Sequence, residues 1–203
     1  MKNFGFARGW VLCGVAFAAG VVWGTLPMAA RAQVDVLTQH NNLERTGVNL
    51  RETELTPANV NKAQFGMLFK RVLDDQLYTQ PLLVTGVEVN GGTHDLVYVT
   101  TVNNSVYAFD ANDAEAAAPV WHVNFGVPAN VHSTDFGCTD MNGQMGIVGT
   151  PVIDKARGVL YVVALTKTGD GAGARFAQRL HELDLATGAD LPASPVTIEA
   201  AGF

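Results

Sequence analysis

One stretch of the chain constrains the fold more than any other. Leu96-Val97-Tyr98-Val99-Thr100-Thr101 and Ser105-Val106-Tyr107-Ala108-Phe109-Asp110 flank the dipeptide Asn103-Asn104. β-branched and aromatic residues on either side of an Asn-rich turn predict a β-hairpin. The alternation is not that of a sheet with one wet face. Leu96 and Tyr98 point one way and Val97 and Val99 the other, so both faces are apolar. A sheet exposed on one side alternates apolar with polar residues; these strands need cover on both sides.

The pattern recurs. Val159-Leu160-Tyr161-Val162-Val163-Ala164 matches the first strand, and Gln178-Arg179-Leu180-His181-Glu182-Leu183-Asp184 matches the second, ending on Asp as the first copy does. Upstream, Gln80-Pro81-Leu82-Leu83-Val84 matches Thr150-Pro151-Val152-Ile153-Asp154. Pro81 and Pro151 are 70 residues apart, Tyr98 and Tyr161 are 63 apart, and Asp110 and Asp184 are 74 apart. Strand order is kept while loop length changes, as expected of packed strands joined by surface loops. The first copy is expected to have its longer loop at Asn90-Gly91-Gly92, and the second at Gly169-Asp170-Gly171-Ala172-Gly173. A fourth short strand follows in each copy: Val120-Trp121-His122-Val123, and Val196-Thr197-Ile198 after a turn at Ala186-Thr187-Gly188.

Four short antiparallel strands per repeat, apolar on both faces, describe a blade of an all-β propeller. A β-sandwich is the alternative; it accounts for the strands but not for their repetition in order. The propeller reading divides the chain into a signal segment at 1–32, an N-terminal lead-in at 33–75, a first blade at 76–125, and a second blade with the start of the next linker at 126–203. Two blades cannot close a ring that needs about four to eight. The expectation is an incomplete ring and an N-terminal fragment. Within the lead-in, Val34–Leu37 and Phe65–Val72 predict strands, and Thr56 capping Pro57 predicts a short helix to Lys62.

The first 32 residues read as an address. Lys2 and Arg8 precede an uncharged apolar run from Gly9 to Met28, and Pro27 and Ala30-Arg31-Ala32 end it in the manner of a cleaved secretory signal. The expected location is secreted or periplasmic, with no membrane span after cleavage; an uncleaved anchor is the alternative. Cys13 follows the bulky Leu12 and does not match a lipid-attachment site. Without Lys2, Arg8 and Arg31, 10 of the 13 basic residues face 19 acidic ones, a formal charge of −9. Such a domain is a poor ligand for nucleic acid or anionic membranes. Cys138 is the single cysteine left, so the mature chain forms no internal disulfide. It either pairs outside this sequence or packs as a small apolar side chain.

Few residues point to chemistry. Asp135, Asp140, Asn142 and Gln144 gather between the two copies, yet Asp and Asn also stabilise turns through their own backbone. Asp110-Ala111-Asn112-Asp113-Ala114-Glu115 lacks the sixth-position Gly and distant Glu of a calcium loop, so Asp110 and Asp184 are expected to close the turns after their strands. The Gly169–Gly173 run has no following Lys-Ser/Thr and reads as a loop rather than a phosphate cradle. His40, His94, His122, His132 and His181 are not at ligand spacing. His132-Ser133-Thr134-Asp135 is adjacent in sequence, but a triad requires spatial convergence. Asn103-Asn104-Ser105 fits a glycosylation acceptor in a tight turn of a bacterial-type sequence, where it is idle. No catalytic, cofactor-binding or metal residue is assigned.

Tyr161-Val162-Val163 with Leu183-Asp184-Leu185-Ala186-Thr187-Gly188, and Val97-Tyr98-Val99 with Tyr107-Ala108-Phe109-Asp110-Ala111, resemble the pyrroloquinoline-quinone-like repeat of the quinoprotein-alcohol-dehydrogenase-like β-propellers. Trp121 resembles the docking tryptophan of such blades, and Val196 stands where its second-copy counterpart is expected. Thr38–Asn42, Arg45-Thr46-Gly47, Leu55–Val60 and Gly146–Asp154 resemble secreted bacterial proteins of that superfamily. The likeness covers nearly all of 34–200. It implies a propeller and two possible functions, because the repeat serves scaffolds and enzymes alike. One is a non-catalytic binding or scaffold module whose partner is an unknown protein or small molecule. The other is the N-terminal part of a dehydrogenase of alcohols or sugars, which alone would call for pyrroloquinoline quinone and calcium.

Overall fold

The Asn103-Asn104 hairpin forms as its residues dictate. In the computed structural model, which describes residues 34–132, 135–137, 139, 141 and 143–199, Gly92–Thr100 (β2) pairs antiparallel with Ser105–Asp110 (β3). Asn104 takes the left-handed conformation at φ 60°, which Asn tolerates better than other side-chain-bearing residues, and Asn104 N–H closes the turn onto Thr101 O at 3.2 Å. Leu82–Val89 (β1) and Trp121–Asn124 (β4) complete a four-stranded sheet in which spatial order follows chain order. Ala129–Asn130 (β5) and Gln144–Met145 (β6) make a two-residue ribbon. A second four-stranded sheet follows, again in chain order: Val152–Asp154 (β7), Val159–Thr168 (β8), Arg175–Asp184 (β9) and Val196–Thr197 (β10). The described residues are all-β, and their only helical turn is the 3-10 turn Gly171–Gly173.

The pairings show why the strands repeat. Leu82 lies opposite Tyr98 and Val152 opposite Tyr161; Leu96 lies opposite Asp110 and Val159 opposite Asp184. The two sheets thus share one register under the sequence offsets. A one-residue slip would turn every core side chain outward, so the apolar pattern fixes the register. Leu82, Leu96, Tyr98 and Trp121 of the first sheet pack with Ile153, Leu160, Val162 and Leu183 of the second in one buried cluster. The other face of the first sheet carries Val99, Tyr107 and Phe109, with Leu73 laid against them. The expected cover on both faces of β2 is present.

Several local expectations need correction. The loop at Asn90-Gly91-Gly92 is instead a continuation of the strands. β1 and β2 run on to a two-residue turn at Asn90 (φ 52°) and Gly91 (φ 81°). Positive φ at both turn positions is the geometry that matches the twist of paired strands. The helix from Pro57 to Lys62 is a pair of turns. Asn59 Oδ1 accepts from Thr56 N–H at 2.8 Å and Asn61 Oδ1 from Ala63 N–H at 3.0 Å. These side chains take backbone donors in place of a helix ladder. Phe65–Val72 carries no strand pairing among the described residues, and Val34–Leu37 makes a single bridge, Val36 to Leu83. Register also places Ser194, not Val196, at the second-copy position of Trp121: Val196 lies opposite Leu180, two residues short of Glu182, and Glu182 N–H bonds Ser194 Oγ. The expected signal segment at 1–32, Ser133, Thr134, Cys138, Asp140 and Asn142 lie outside the described residues.

Gly146 marks the tightest approach between the sheets. A Cβ there would stand 2.3 Å from Asn104 Oδ1 and 2.6 Å from the Val102 carbonyl, and Gly146 N–H itself bonds Val102 O at 2.8 Å. Backbone cannot yield as a side-chain tip does. Gly146→Ala should lower stability by about 1–3 kcal/mol, read from the urea midpoint; an unchanged midpoint would show that the approach is looser than described.

Candidate functional site

Two assemblies join the sheets, and each begins in a turn. At the first, Asp184 ends β9 and its Oδ1 accepts from Ala186 N–H, Thr187 N–H and Thr187 Oγ1–H at 3.1, 2.9 and 2.8 Å. The capped turn exposes the Leu185 carbonyl to the first sheet. Trp121 Nε1–H donates to it at 2.9 Å and Tyr98 O–H at 3.0 Å. The two rings stand 5.8 Å apart, tilted by 49°. Burial raises the Tyr98 phenol pKa well above its ordinary value, with the Asp184 carboxylate adding to the effect. Gly188 closes the turn at φ 72°, and a Cβ there would come within 2.5 Å of the Trp121 ring. Asp110 plays the matching part in the first sheet, accepting from Asn112 N–H at 2.8 Å and Asp113 N–H at 3.2 Å, as the turn reading expects. His94 Nδ1 also lies 2.7 Å from it. Burial alone would raise the Asp110 pKa; the bonds from His94 and the turn outweigh it and hold the carboxyl below its usual range.

The second assembly is the lead-in. Val36 exchanges both backbone bonds with Leu83 of β1 at 2.8 and 3.0 Å, and Leu37 O accepts from Ile153 of β7 at 2.8 Å. Asp35 accepts from Thr85 N–H and Oγ1–H at 2.8 and 2.9 Å and pairs with Lys155 at 2.8 Å. Its partial burial works against the charge, but Lys155 and Thr85 prevail and the pKa falls. The following loop is tied down by polar bonds. Arg45 donates to Thr38 Oγ1 at 2.8 Å and Gln39 O at 2.7 Å; His40 N–H bonds Gln80 Oε1 at 2.9 Å; Gln80 N–H bonds Thr150 Oγ1 at 3.0 Å.

Between this loop and β7 lies a cleft of about 450 Å3, lined in part by Thr38, Asn41, Glu44, Arg51 and the apolar Leu37 and Val152. It is the best candidate for a binding site, because it offers one guanidinium, the carboxylates of Asp35 and Glu44, and amide groups beside apolar walls. Small-molecule sites have this mixed character. Its hydroxyl, Thr38 Oγ1, accepts from Arg45 at 2.8 Å.

Of the residues grouped between the two copies, Asp135 and Gln144 are described, and both lie against Asn130. Asp135 pairs with Lys167 at 3.0 Å and accepts from Asn130 N–H at 2.9 Å, while Gln144 sits in β6 opposite Asn130. Asp135, with Asp170 beside it, raises the Lys167 pKa. Among the described residues no three His, Cys, Asp or Glu side chains are placed to hold a metal ion. The Gly169–Gly173 run caps the lengthened β8–β9 hairpin. His122 stacks on Tyr107 with centroids 4.1 Å apart.

Two groups carry no sequence signal. Asp74 accepts from Thr101, Asn103 and Ser105 at 2.8, 2.8 and 2.5 Å, partners about 30 residues away that only the fold brings together. Burial would raise its pKa, but these bonds, led by that from Ser105, bring it below the usual range. His181 stacks on Phe125 at 3.7 Å and bonds Asp190, which also accepts from Ser194. The trio resembles a catalytic triad in composition only. Ser194 donates to the carboxylate, and His181 Nε2 is buried without a partner instead of reaching the hydroxyl.

Replacing Trp121 by Ala should cost about 3–5 kcal/mol, and Gly188→Ala should also destabilise through ring clash and positive φ. Denaturant titration of each variant checks this; wild-type stability in both would refute the dock. Burial lowers the His181 pKa below 6.5, with Asp190 opposing only in part. Above that value both states hold it neutral. As pH falls through about 6.5 the unfolded chain takes up a proton first, so stability declines until the folded imidazole also protonates, by no more than about 1.4 kcal/mol per pH unit. His181→Phe should remove this component between pH 7.5 and 5; an unchanged pH profile would contradict it. Comparison with protein-family models, curated proteins and solved structures found no match to this chain.

Proposed function

We propose that the chain is the N-terminal part of an exported β-propeller of pyrroloquinoline-quinone-like repeats that acts as a non-catalytic binding or scaffold module. One observation carries the reading. Two four-stranded sheets with the same strand order and pairing register pack face to face, with Trp121 of the first seated on the Asp184–Gly188 turn of the second. A β-sandwich needs no equivalence between its two sheets, whereas blades are equivalent by construction.

The binding role is supported by how the polar groups are used. Asp110 and Asp184 cap turns, Asp74 ties a hairpin, and His181 packs on Phe125. The cleft beside Arg51 and Glu44 keeps recognition groups on a loop, the part of a repeat fold free to vary with the ligand. Export is supported by the apolar Gly9–Met28 run and the Ala30-Arg31-Ala32 end.

Two measurements test this. N-terminal sequencing of the protein made in a bacterial host should begin at Gln33; an intact Met1 would contradict cleavage. Addition of pyrroloquinoline quinone with calcium to the complete gene product should give no spectral shift and no dye reduction with alcohols or sugars. A shift with turnover would replace the scaffold reading with the dehydrogenase.

A further inference from the structure

The polar groups that line the cleft between the 38–47 loop and β7 fall into two sets. The first set holds the loop together. Asp35 is taken up by Thr85 and Lys155, and Thr38 Oγ1 accepts from Arg45. Asn42 makes two bonds with Thr46: its Nδ2–H donates to Thr46 Oγ1 at 2.8 Å, and its Oδ1 accepts from Thr46 N–H at 3.0 Å. The second set holds nothing. Among the described residues the Arg51 guanidinium, the Glu44 carboxylate and Asn41 Oδ1 have no hydrogen-bond or ion-pair partner, and Arg51 and Glu44 do not pair with each other. Neighbouring bonds still fix where two of them stand. Arg51 N–H bonds Asn49 Oδ1 at 3.0 Å, and Asn41 Nδ2–H donates to Val48 O at 2.8 Å, which leaves the amide oxygen as its open end.

The loop that carries them is held in an uncommon shape. His40, Asn41 and Arg45 have φ of 58°, 75° and 58°, a region that residues with side chains seldom enter. The shape persists because His40 O accepts from Asn42 N–H at 3.0 Å and from Gly47 N–H at 2.9 Å, while Arg45 reaches Thr38 and Gln39. Backbone over-determined in this way is set before a ligand arrives, which lowers the cost of binding.

The cleft continues past Arg51. Asp35, Asn41, Asn42 and Arg51 also border a second cleft of about 410 Å3, whose further walls include Val48 and Leu50. Leu43 of the first cleft and Leu50 of the second are 83% and 91% exposed. The free cation therefore stands where two apolar chambers meet, and the free anion lines one of them. A simple anion in this site would be repelled by Glu44, and a simple cation by Arg51. A neutral sugar would take water from both charges without supplying a counter-charge. A molecule with an ammonium at one end, a carboxylate at the other and an apolar body satisfies all three groups.

We infer that the two clefts form one site for a short peptide with free termini and apolar side chains. Glu44 takes the terminal ammonium, Arg51 takes the terminal carboxylate through its planar fork, and Asn41 Oδ1 accepts a peptide N–H between them. The C-terminal side chain then enters the second chamber. The inference rests on the binding-module reading and names the ligand class of its cleft.

Calorimetric titration of the complete gene product with trileucine at low salt tests it. Trileucine should saturate one site. N-acetylation and C-terminal amidation of the peptide should each weaken binding by about tenfold, the size of a lost charged hydrogen bond. Glu44→Gln should bind acetylated and free trileucine alike, and Arg51→Met should bind amidated and free trileucine alike. Both side chains are exposed, so each variant should keep the wild-type urea midpoint. No saturation by trileucine, or equal binding of blocked and free peptide to the wild type, would overturn the inference. Leucine binding as tightly as trileucine would overturn it in favour of a free amino acid. Saturation by maltose and not by trileucine would overturn the ligand class and leave the binding reading standing. Turnover with pyrroloquinoline quinone and calcium would remove the binding reading, and this inference with it.

Discussion

A single carbonyl, that of Leu185 in the second sheet's turn, accepts from both Trp121 Nε1–H and Tyr98 O–H of the first sheet. Trp121 and Tyr98 are nearly fully buried. An indole N–H or phenol O–H buried without a partner costs about 1–3 kcal/mol, so the carbonyl fixes where the sheets can sit as well as favouring their contact. The rest of the turn follows from that demand. Asp184 must hold the carbonyl in place, and Gly188 must be bare to admit the indole. Apolar contact between two β faces is permissive about position; the dock is not, and it converts a sticky surface into a defined stack.

The lead-in secures the sheets a second time. Val36 and Leu37 span the free edges of β1 and β7 with backbone bonds, and Asp35 ties Thr85 to Lys155. Edge strands with open hydrogen-bonding groups invite aggregation, so this cover protects as well as joins. The loop at 38–47 is held to the same frame by polar bonds, His40 N–H to Gln80 and Arg45 to Thr38, and the cleft opens between it and β7.

The repeat was legible because its signal is local. β-branched and aromatic residues in the same order, twice, sufficed to give eight strands, their pairing and the capping role of Asp110 and Asp184. The lead-in was harder to read. Its Asn side chains at 59 and 61 compete for backbone donors, which propensity at Thr56-Pro57 does not reveal. The loop at Asn90 was misread because Gly91-Gly92 punctuates a turn and a longer loop equally well. The site was least legible. Asp74 meets Ser105 only once the lead-in folds back on the first sheet, and His181 meets Phe125 only once the two sheets are stacked. Asp135 is taken up by Lys167 and the Asn130 amide, a use that its place in a polar loop does not reveal.

Trp121 is the sole tryptophan of residues 33–203, since Trp10 and Trp23 precede Gln33. Its fluorescence therefore reports the dock, while far-UV circular dichroism reports the strands. Urea unfolding of residues 33–203 followed by both signals tests the central claim that the dock holds the two sheets as one unit. Superimposable transitions with a single midpoint are expected. A tryptophan transition complete while the β signal is still native would contradict the claim, because the sheets would then persist without the contact said to join them.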